Sequence, residues 1–467
     1  MGKNVLLAYS RVPSFTNTVR DYVEAFGAHS VHRVHYYDMD SGPIHFDLTP
    51  FDCIIFNFCF WGRCLAVSPE FRARMRGFHG LKIAIFQDEY DYFLWHRQTV
   101  LDIGIDTIVT CVPEAYWPQV FPDEAFRKVE LISALTGYVP DTLSGERPAR
   151  PLEERPWHIG YRSRKVPYYY GRLTREKFII GERMKALCAE RGIPANIEVS
   201  EESRLYGDAW PEFIGSCRTV LGTESGANVF DFDGTLKPAI EAYLKRYPEA
   251  EFETVHARFL EGRDGVIRMN QVSPRIFEAI ALRTGLVLFE GEYSGVVRPW
   301  VHYIPLRKDF GNVEEVLAAV ADTGQLETMI ARAYADVIDS GAYSYRRYIS
   351  RLDAHIDARV PRSAGYEPCY GLIGWRQSAG SSIAGNPGQD LQIPTLTPLR
   401  CEDSIPDPFL TLRVRGGAFH RGLMRRYERL LYSSFGIRVR AVLGRNDVVY
   451  RVMRMFARVL TGRWRHV

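Results

Sequence analysis

No stretch of this 467-residue chain approaches the roughly eighteen consecutive apolar residues that a bilayer-spanning helix requires. The longest apolar runs, around Cys53 to Trp61 and Gly285 to Phe289, have the length of core strands, so any membrane contact has to be peripheral. Eight cysteines stand at 53, 59, 64, 111, 188, 217, 369 and 401 with no Cys-x-x-Cys pair and no matching His-x-His or His-x3-His spacing; a metal site is not expected. The chain runs from Met1 straight into a strand-like segment without a cleavable apolar leader, so the thiols are expected to be reduced and the protein cytoplasmic. An excess of one charge is missing too: 59 basic against 56 acidic side chains leave +3, and the total gives no reason to expect nucleic acid or an acidic partner. No internal repeat is visible. What remains is ordinary for a folded protein, 46% apolar and 25% charged, with enough chain for two or three domains.

The balanced charge conceals an asymmetry. Residues 409–467 carry fourteen arginines, no lysine and two acids, about +12, which leaves about −9 for everything before them. Phe419–Phe435 and Val448–Arg463 place apolar residues among the arginines at roughly helical spacing. Two readings stand side by side: an amphipathic surface for anionic lipid, on the inner face of a membrane, or helices packed on the protein body with a solvated basic face. No nucleic-acid reader motif accompanies the charge.

Residues 1–150 alternate short apolar runs with amphipathic segments. Strands are expected at Asn4–Tyr9, Val31–Tyr37, Cys53–Phe58, Lys82–Phe86 and Thr107–Cys111, with helices such as Thr16–Phe26 between them, the pattern of a doubly wound α/β domain. Pro140–Pro156, rich in Pro, Arg and Glu, reads as a linker. A second α/β domain over 151–345 begins with a strand at Trp157–Tyr161 and a helix from Gly171 to Arg191, followed by strands at Asn196–Val199 and Thr219–Gly222. Ser273 and Pro274 then open a helix to Arg283, Gly285 stops it before the strand Leu286–Phe289, and Asn312 with Glu315 starts another over Val313–Ala321. Long helices are expected from Leu326 to Arg359. A crossing helix and connector (346–377), a Gly/Ser/Pro-rich linker (378–408) and the basic tail (409–467) complete the chain.

Two motifs carry chemistry. Val229-Phe-Asp231-Phe-Asp233-Gly-Thr235-Leu matches the nucleophile motif of haloacid-dehalogenase phosphatases, in which the first Asp attacks phosphorus beside Mg²⁺. This chemistry also needs a lysine near the nucleophile and a further acidic pair; no Asp-Asp and no Gly-Asp-x3-Asp follows downstream, and the apolar run that should precede the nucleophile is replaced by Thr223-Glu-Ser-Gly-Ala-Asn. Ser273-Pro-Arg275-Ile-Phe-Glu278 is the stronger constellation. A helix N-terminus with an arginine in its first turn suits a diphosphate, and a carboxylate one turn on suits the two hydroxyls of an attached ribose. A surface ion pair would show the same spacing.

The segment from Ser273 to Phe289, continued by Tyr293-Ser-Gly295 and His302 to Phe310, resembles the nucleotide-sugar half of GT-B glycosyltransferases, in particular the group-1-like enzymes of surface polysaccharide and spore-coat glycosylation. Ile159-Gly-Tyr-Arg162-Ser-Arg164 with Tyr168 to Arg172, and Leu221-Gly-Thr-Glu224-Ser225-Gly226, look like two further loops of that half. The resemblance spans about Pro156 to Ala321. It implies a GT-B-like fold, two Rossmann-type domains facing across a cleft, and transfer of a sugar from a nucleotide-diphosphate donor to a glycan or lipid-linked glycan, without metal or other cofactor. Donor-binding residues would be Arg162, Arg164, Glu224, Ser225, Gly226, Arg275 and Glu278, with Lys177 assisting. Glu278 matches the ribose-binding glutamate of a Glu-x7-Glu motif whose first position is Asn270 here.

Past the end of the Lys82–Phe86 strand, Asp88 and Glu89, then Asp91 and His96, are placed to face the cleft as acid/base groups. Trp61 and Trp95 offer sugar-stacking faces or core packing. A non-catalytic nucleotide-sugar-binding subunit is the alternative reading, and the phosphatase a second one.

Overall fold

The computed structural model describes residues 2–10, 16–39, 44, 46–61, 69–91, 93–122, 124–143, 145 and 149–361. The linker 378–408, the basic tail 409–467, Cys64, Cys369 and Cys401, and the Trp95 side chain lie outside them, as does everything expected of that tail. No helix of the described residues is long and apolar enough to cross a membrane.

Six strands form the first sheet: β1 (Asn4–Tyr9), β2 (Arg33–Asp38), β3 (Cys53–Phe56), β4 (Leu81–Ile85), β5 (Thr107–Thr110) and β6 (Glu130–Ser133). They pair in the order β2-β1-β3-β4-β5-β6, every pair parallel. β1, β3 and β4 are apolar almost throughout because helices cover both faces of the sheet. Lys82 inside β4 is tolerated because its ammonium donates to the Phe78 carbonyl at 3.1 Å. The edge strand β6 escapes the sequence reading: it is four residues long and half-exposed, so its apolar signal is weak.

The second sheet contains β7 (Trp157–Arg162), β8 (Ala195–Glu198), β9 (Cys217–Gly222), β10 (Gly285–Phe289) and β11 (Ile304–Leu306) in the order β11-β10-β9-β7-β8, again all parallel. Helix Arg172–Glu190 connects β7 to β8. It starts after Gly171, whose φ of +81° and whose missing Cβ, which would fall 2.6 Å from Val229, both demand glycine. On the opposite face lie helices Ala209–Gly215 and Pro274–Ala281; the latter buries Ile276, Phe277, Ala279, Ile280 and Ala281 in one core.

The chain crosses between the sheets twice, and the crossings run side by side: Val139 N–H donates to the Tyr343 carbonyl at 2.8 Å and Tyr345 N–H to the Val139 carbonyl at 3.3 Å. The expected linker is loose only in part. Leu152 is buried in the second core, and the Arg155 guanidinium donates to the Arg150 and Cys217 carbonyls and to Thr284 Oγ1. The long helical stretch is two helices, Thr323–Tyr334 and Tyr345–Arg359, with a π-turn at Ala335–Asp339 and a break at Gly341, φ +63°. Helix Tyr345–Arg359 returns to the first domain, where Tyr348 packs flat on Tyr138 and its hydroxyl meets that of Tyr22 at 2.5 Å.

Between β9 and helix Pro274–Ala281 the chain makes an excursion from about 227 to 269, containing helix Leu236–Arg246 and a helical turn at Phe252–Val255. Its base is pinned where Ser225 and Gln271 exchange backbone hydrogen bonds at 2.8 and 3.0 Å. Gly226 belongs there because a Cβ would lie 2.1 Å from the Met269 carbonyl oxygen. The excursion acts as a strap: Phe230, Ile267 and Met269 share a core cluster with Phe93, Val112 and Val120 of the first domain. Lys237 also pairs with Asp91 at 3.2 Å.

Candidate active site

Loops following the carboxyl ends of both sheets meet. Asn17 Nδ2 donates to the Gly207 carbonyl at 3.3 Å, Thr136 Oγ1 to the Val272 carbonyl at 2.5 Å, and Tyr170 Oη to Asp91 at 2.9 Å. In doubly wound sheets ligands bind outside these ends, where the strand order reverses, here between β1 and β3 and between β7 and β9.

On the second domain's wall, the Trp210 indole links the two residues singled out in the Pro274 helix. Its Nε1 donates to Glu278 Oε2 at 2.7 Å, and its ring lies under the Arg275 guanidinium at 5.0 Å. Glu278 is buried, and burial raises its carboxyl above the usual range, with the Trp210 hydrogen bond and the Arg275 charge opposing. Arg275 is exposed, and its Nη1 donates to the Arg162 carbonyl at 2.6 Å. Lys177 stands close by. Its ammonium is brought down to about 8 by burial and by the positive charges of Arg275 and Arg164, against the pull of Asp88 from the other domain. Lys177 is thus within electrostatic reach of two cations on its own wall and of one carboxylate on the other.

Asp88 is exposed to water yet surrounded by protein, as a side chain on a cleft wall must be. Burial raises its carboxyl, as does the charge of Asp91, while the Tyr90 hydroxyl, donating at 2.5 Å, and Lys177 oppose. Asp21, on helix Asn17–His29, faces Glu278 across the same boundary. Its carboxyl is raised to about 7, mainly by burial and further by Glu24 and Glu278, with Arg20 opposing. A folded state that holds this proton up to about pH 7 loses stability as pH rises from 4 to 7, because the unfolded chain releases it near 4. Asp21→Asn should therefore raise the melting temperature at pH 8 by roughly 2–4 °C and leave it unchanged at pH 4; an equal change at both would count against the burial account.

Several expected site residues lie elsewhere. Arg162 turns its guanidinium away from the cleft, donating to the Tyr161 and Asn196 carbonyls and to Asn196 Oδ1 and stacking 4.1 Å over Phe213; only its carbonyl serves the site. Arg164 is exposed and pairs with Glu201 at 3.6 Å, near enough to Lys177 to act on it. Glu224 is buried and already engaged through both oxygens: it accepts from Glu292 N–H at 2.6 Å, Tyr293 N–H at 3.0 Å and the Asn270 side-chain Nδ2 at 2.7 Å. Those bonds hold a turn in which Tyr293, Ser294 and Gly295 all have positive φ. Ser225 and Gly226 form the base of the strap.

Glu89 and His96 face the first domain's interior, beside a cavity of about 20 Å³ with Phe86 and Phe126, room for about one water molecule. Glu89 accepts from Thr110 Oγ1 and Cys111 N–H, and burial lifts its carboxyl to about 7; burial likewise lowers the His96 imidazole to about 4. Trp61 is core, stacked on Phe86.

The phosphatase motif is a capped turn. Asp231 accepts from Leu236 and Lys237 N–H at 3.1 and 3.0 Å, and Asp233 from Thr235; neither stands at a strand end. Among the described residues, no cluster of three or more His, Cys, Asp or Glu side chains could hold a metal ion.

Sequence reasoning missed Trp210 and Asp21 and gave Lys177 a minor place. Trp210 sits in a seven-residue helix with little local signal, and Asp21 belongs to an N-terminal helix that nothing ties to the second domain until the chain folds.

No family model and no curated protein matches the chain. Among solved structures it is similar to HepE from Anabaena in complex with UDP, at 9% identity and a TM-score of 0.43 over 76% of this chain and 100% of that one. It is also similar to sucrose-phosphate synthase from Thermosynechococcus elongatus, at 11% and 0.44 over 76% and 99%. A third is TarM, at 10% and 0.36 over 65% of this chain and 54% of that one, so the chain spans about half the length of that structure. With two parallel Rossmann-type sheets joined at their carboxyl ends and a last described helix that returns to the first domain, the architecture of the described residues is GT-B-like.

Proposed function

We propose that this protein is a glycosyltransferase that moves a sugar from a nucleoside-diphosphate donor to a hydroxyl of a glycan, of the cell-surface polysaccharide kind that its sequence resemblance implies. One observation supports this most: Arg275, propped on Trp210 beside Glu278, and Lys177, within electrostatic reach of Arg275 and Arg164, stand on one wall of the cleft, and Asp88 acts on Lys177 from the other. A diphosphate leaving group gains negative charge as the glycosidic bond to its phosphate breaks, and cations already in place there stabilise that charge without reorganisation. Glu278, held by Trp210 through one oxygen, offers the other to the ribose hydroxyls. Asp88, with its affinity for protons raised, is the group on the acceptor side suited to take the proton of the attacking hydroxyl.

A thermal-shift panel of UDP-, GDP-, TDP- and CMP-sugars tests the donor site. At least one diphosphate donor should raise the melting temperature by a few degrees and exceed the monophosphate CMP-sugar, and Glu278→Ala should abolish the shift. The reading fails if no nucleotide gives a shift, or if Glu278→Ala keeps it in full.

A further inference from the structure

On the far side of Glu224 and Asn270, helix Arg172–Glu190, the strap and the loop after β11 line a second, open cavity of about 310 Å³, at the small end of the ~300–1,000 Å³ usual for ligand sites. We infer that this cavity is a subsite for one uncharged, hydroxyl-rich ring, a neutral monosaccharide unit. Its wall is made almost wholly of paired polar groups. Lys308 donates to Glu176 Oε1 at 2.6 Å, His256 meets Asp264 at 3.2 Å, and Asn228 Nδ2 donates to Asn270 Oδ1 at 2.9 Å. The two arginines at the rim are also matched, Arg172 with Glu253 and Arg268 with Glu292.

Because each cation already has its carboxylate, an anionic ligand would gain no free positive charge and would meet Glu176 and Asp264. Among the described residues no phenyl, phenol or indole ring lines the cavity, so a nucleobase finds no stacking face among them. Closely spaced donors and acceptors are what a sugar's hydroxyls require. Glu176 supplies the second observation. Its Oε2 is shielded from water and has no hydrogen-bond partner among the described residues, while burial raises the carboxyl against the pull of Lys308. An unmet buried acceptor is costly, and a hydroxyl entering beside it would satisfy it after a small turn of the carboxyl group. Glu176 adjoins Lys177 in the sequence and Leu173 lines the cavity one turn before Lys177, so this space borders the cation cluster. The sugar itself could belong to the donor or to the acceptor glycan; only that assignment rests on the glycosyltransferase reading.

Saturation-transfer NMR on the full chain tests the subsite with the methyl glycosides of glucose, galactose, mannose and N-acetylglucosamine, and with methyl glucuronide as the anionic control. At least one neutral glycoside should bind, the glucuronide should bind more weakly, and Glu176→Gln and Lys308→Gln should each weaken the neutral ligand at least fivefold. Both variants should keep the nucleotide thermal shift, which separates failure here from failure of the donor site. Displacement by UDP-glucose or GDP-mannose but not by UDP or GDP assigns the subsite to the donor's sugar; displacement by none of them assigns it to the acceptor. The inference is overturned if no neutral glycoside binds, if the glucuronide binds best, if both variants bind like wild type, or if UDP or GDP alone displaces the glycoside.

Discussion

Lys177→Met should lower the affinity for a nucleoside diphosphate by about a hundredfold, the loss expected when a charge-assisted contact to phosphate disappears. Isothermal titration with the nucleotide that the panel selects measures it. The titration also carries a pH signature. The Lys177 ammonium is brought down to about 8 by burial and by Arg275 and Arg164, so in the free protein it is charged below that pH and neutral above it. Wild-type affinity should therefore decline as pH rises past 8, and because a bound diphosphate favours the charged form, binding near pH 8 should take up protons from solution. Lys177→Met should bind equally weakly on both sides of pH 8, whereas Lys177→Arg, charged throughout, should lose the pH dependence and keep more of the affinity. If Lys177→Met binds the nucleotide as wild type does, the ammonium does not touch the phosphates and the cation cluster has another purpose.

Asp88→Asn should cut turnover by about a thousandfold, within the range of a lost general base, while nucleotide binding stays the same or tightens slightly. Tightening is expected because Asp88 acts on Lys177 across the cleft and its negative charge opposes an incoming diphosphate. Release of free nucleotide in the presence of acceptor measures the first effect, and titration the second. Loss of both together would mean that Asp88 shapes the cleft; loss of neither would remove it from the chemistry. Glu89 is the informative neighbour. It lies one residue on but points into the first domain beside Thr110 and Cys111, so replacing it should act on folding and leave the cleft chemistry to Asp88.

The difference between Asp88 and Glu89 shows where sequence reading stops. Both follow β4, and their order in the chain says only that each lies past a strand end. Which of them faces the cleft depends on Thr110 and Cys111 at the end of β5, which accept Glu89 into the interior. Arg162 and Arg275 show the same limit. Both were natural phosphate ligands, yet Asn196 on β8 and Phe213 draw the Arg162 guanidinium inward, whereas Trp210 props Arg275 at the surface. The Asp231 motif is a further case: its carboxylate meets the first amides of helix Leu236–Arg246, an end that a short pattern of letters does not distinguish from a nucleophile's turn.

The sequence by itself determined the alternation of strands and helices, the two α/β units and the Ser273–Glu278 helix opening, because each follows from interactions within a few residues: apolar period, caps, and glycine or proline at the ends. Only the tertiary structure decided that Arg275, Trp210 and Glu278 meet on one wall with Lys177 within reach of Arg275, that Asp88 acts on Lys177 and Asp21 faces Glu278 from the other domain, and that the strap lines an open polar cavity behind Asn270. Charged side chains carry no periodic signal of their own. Their direction is set by hydrogen-bond partners and burial supplied from segments far away in the chain, as between Asp21 and Glu278, and that information exists only once both sheets have docked.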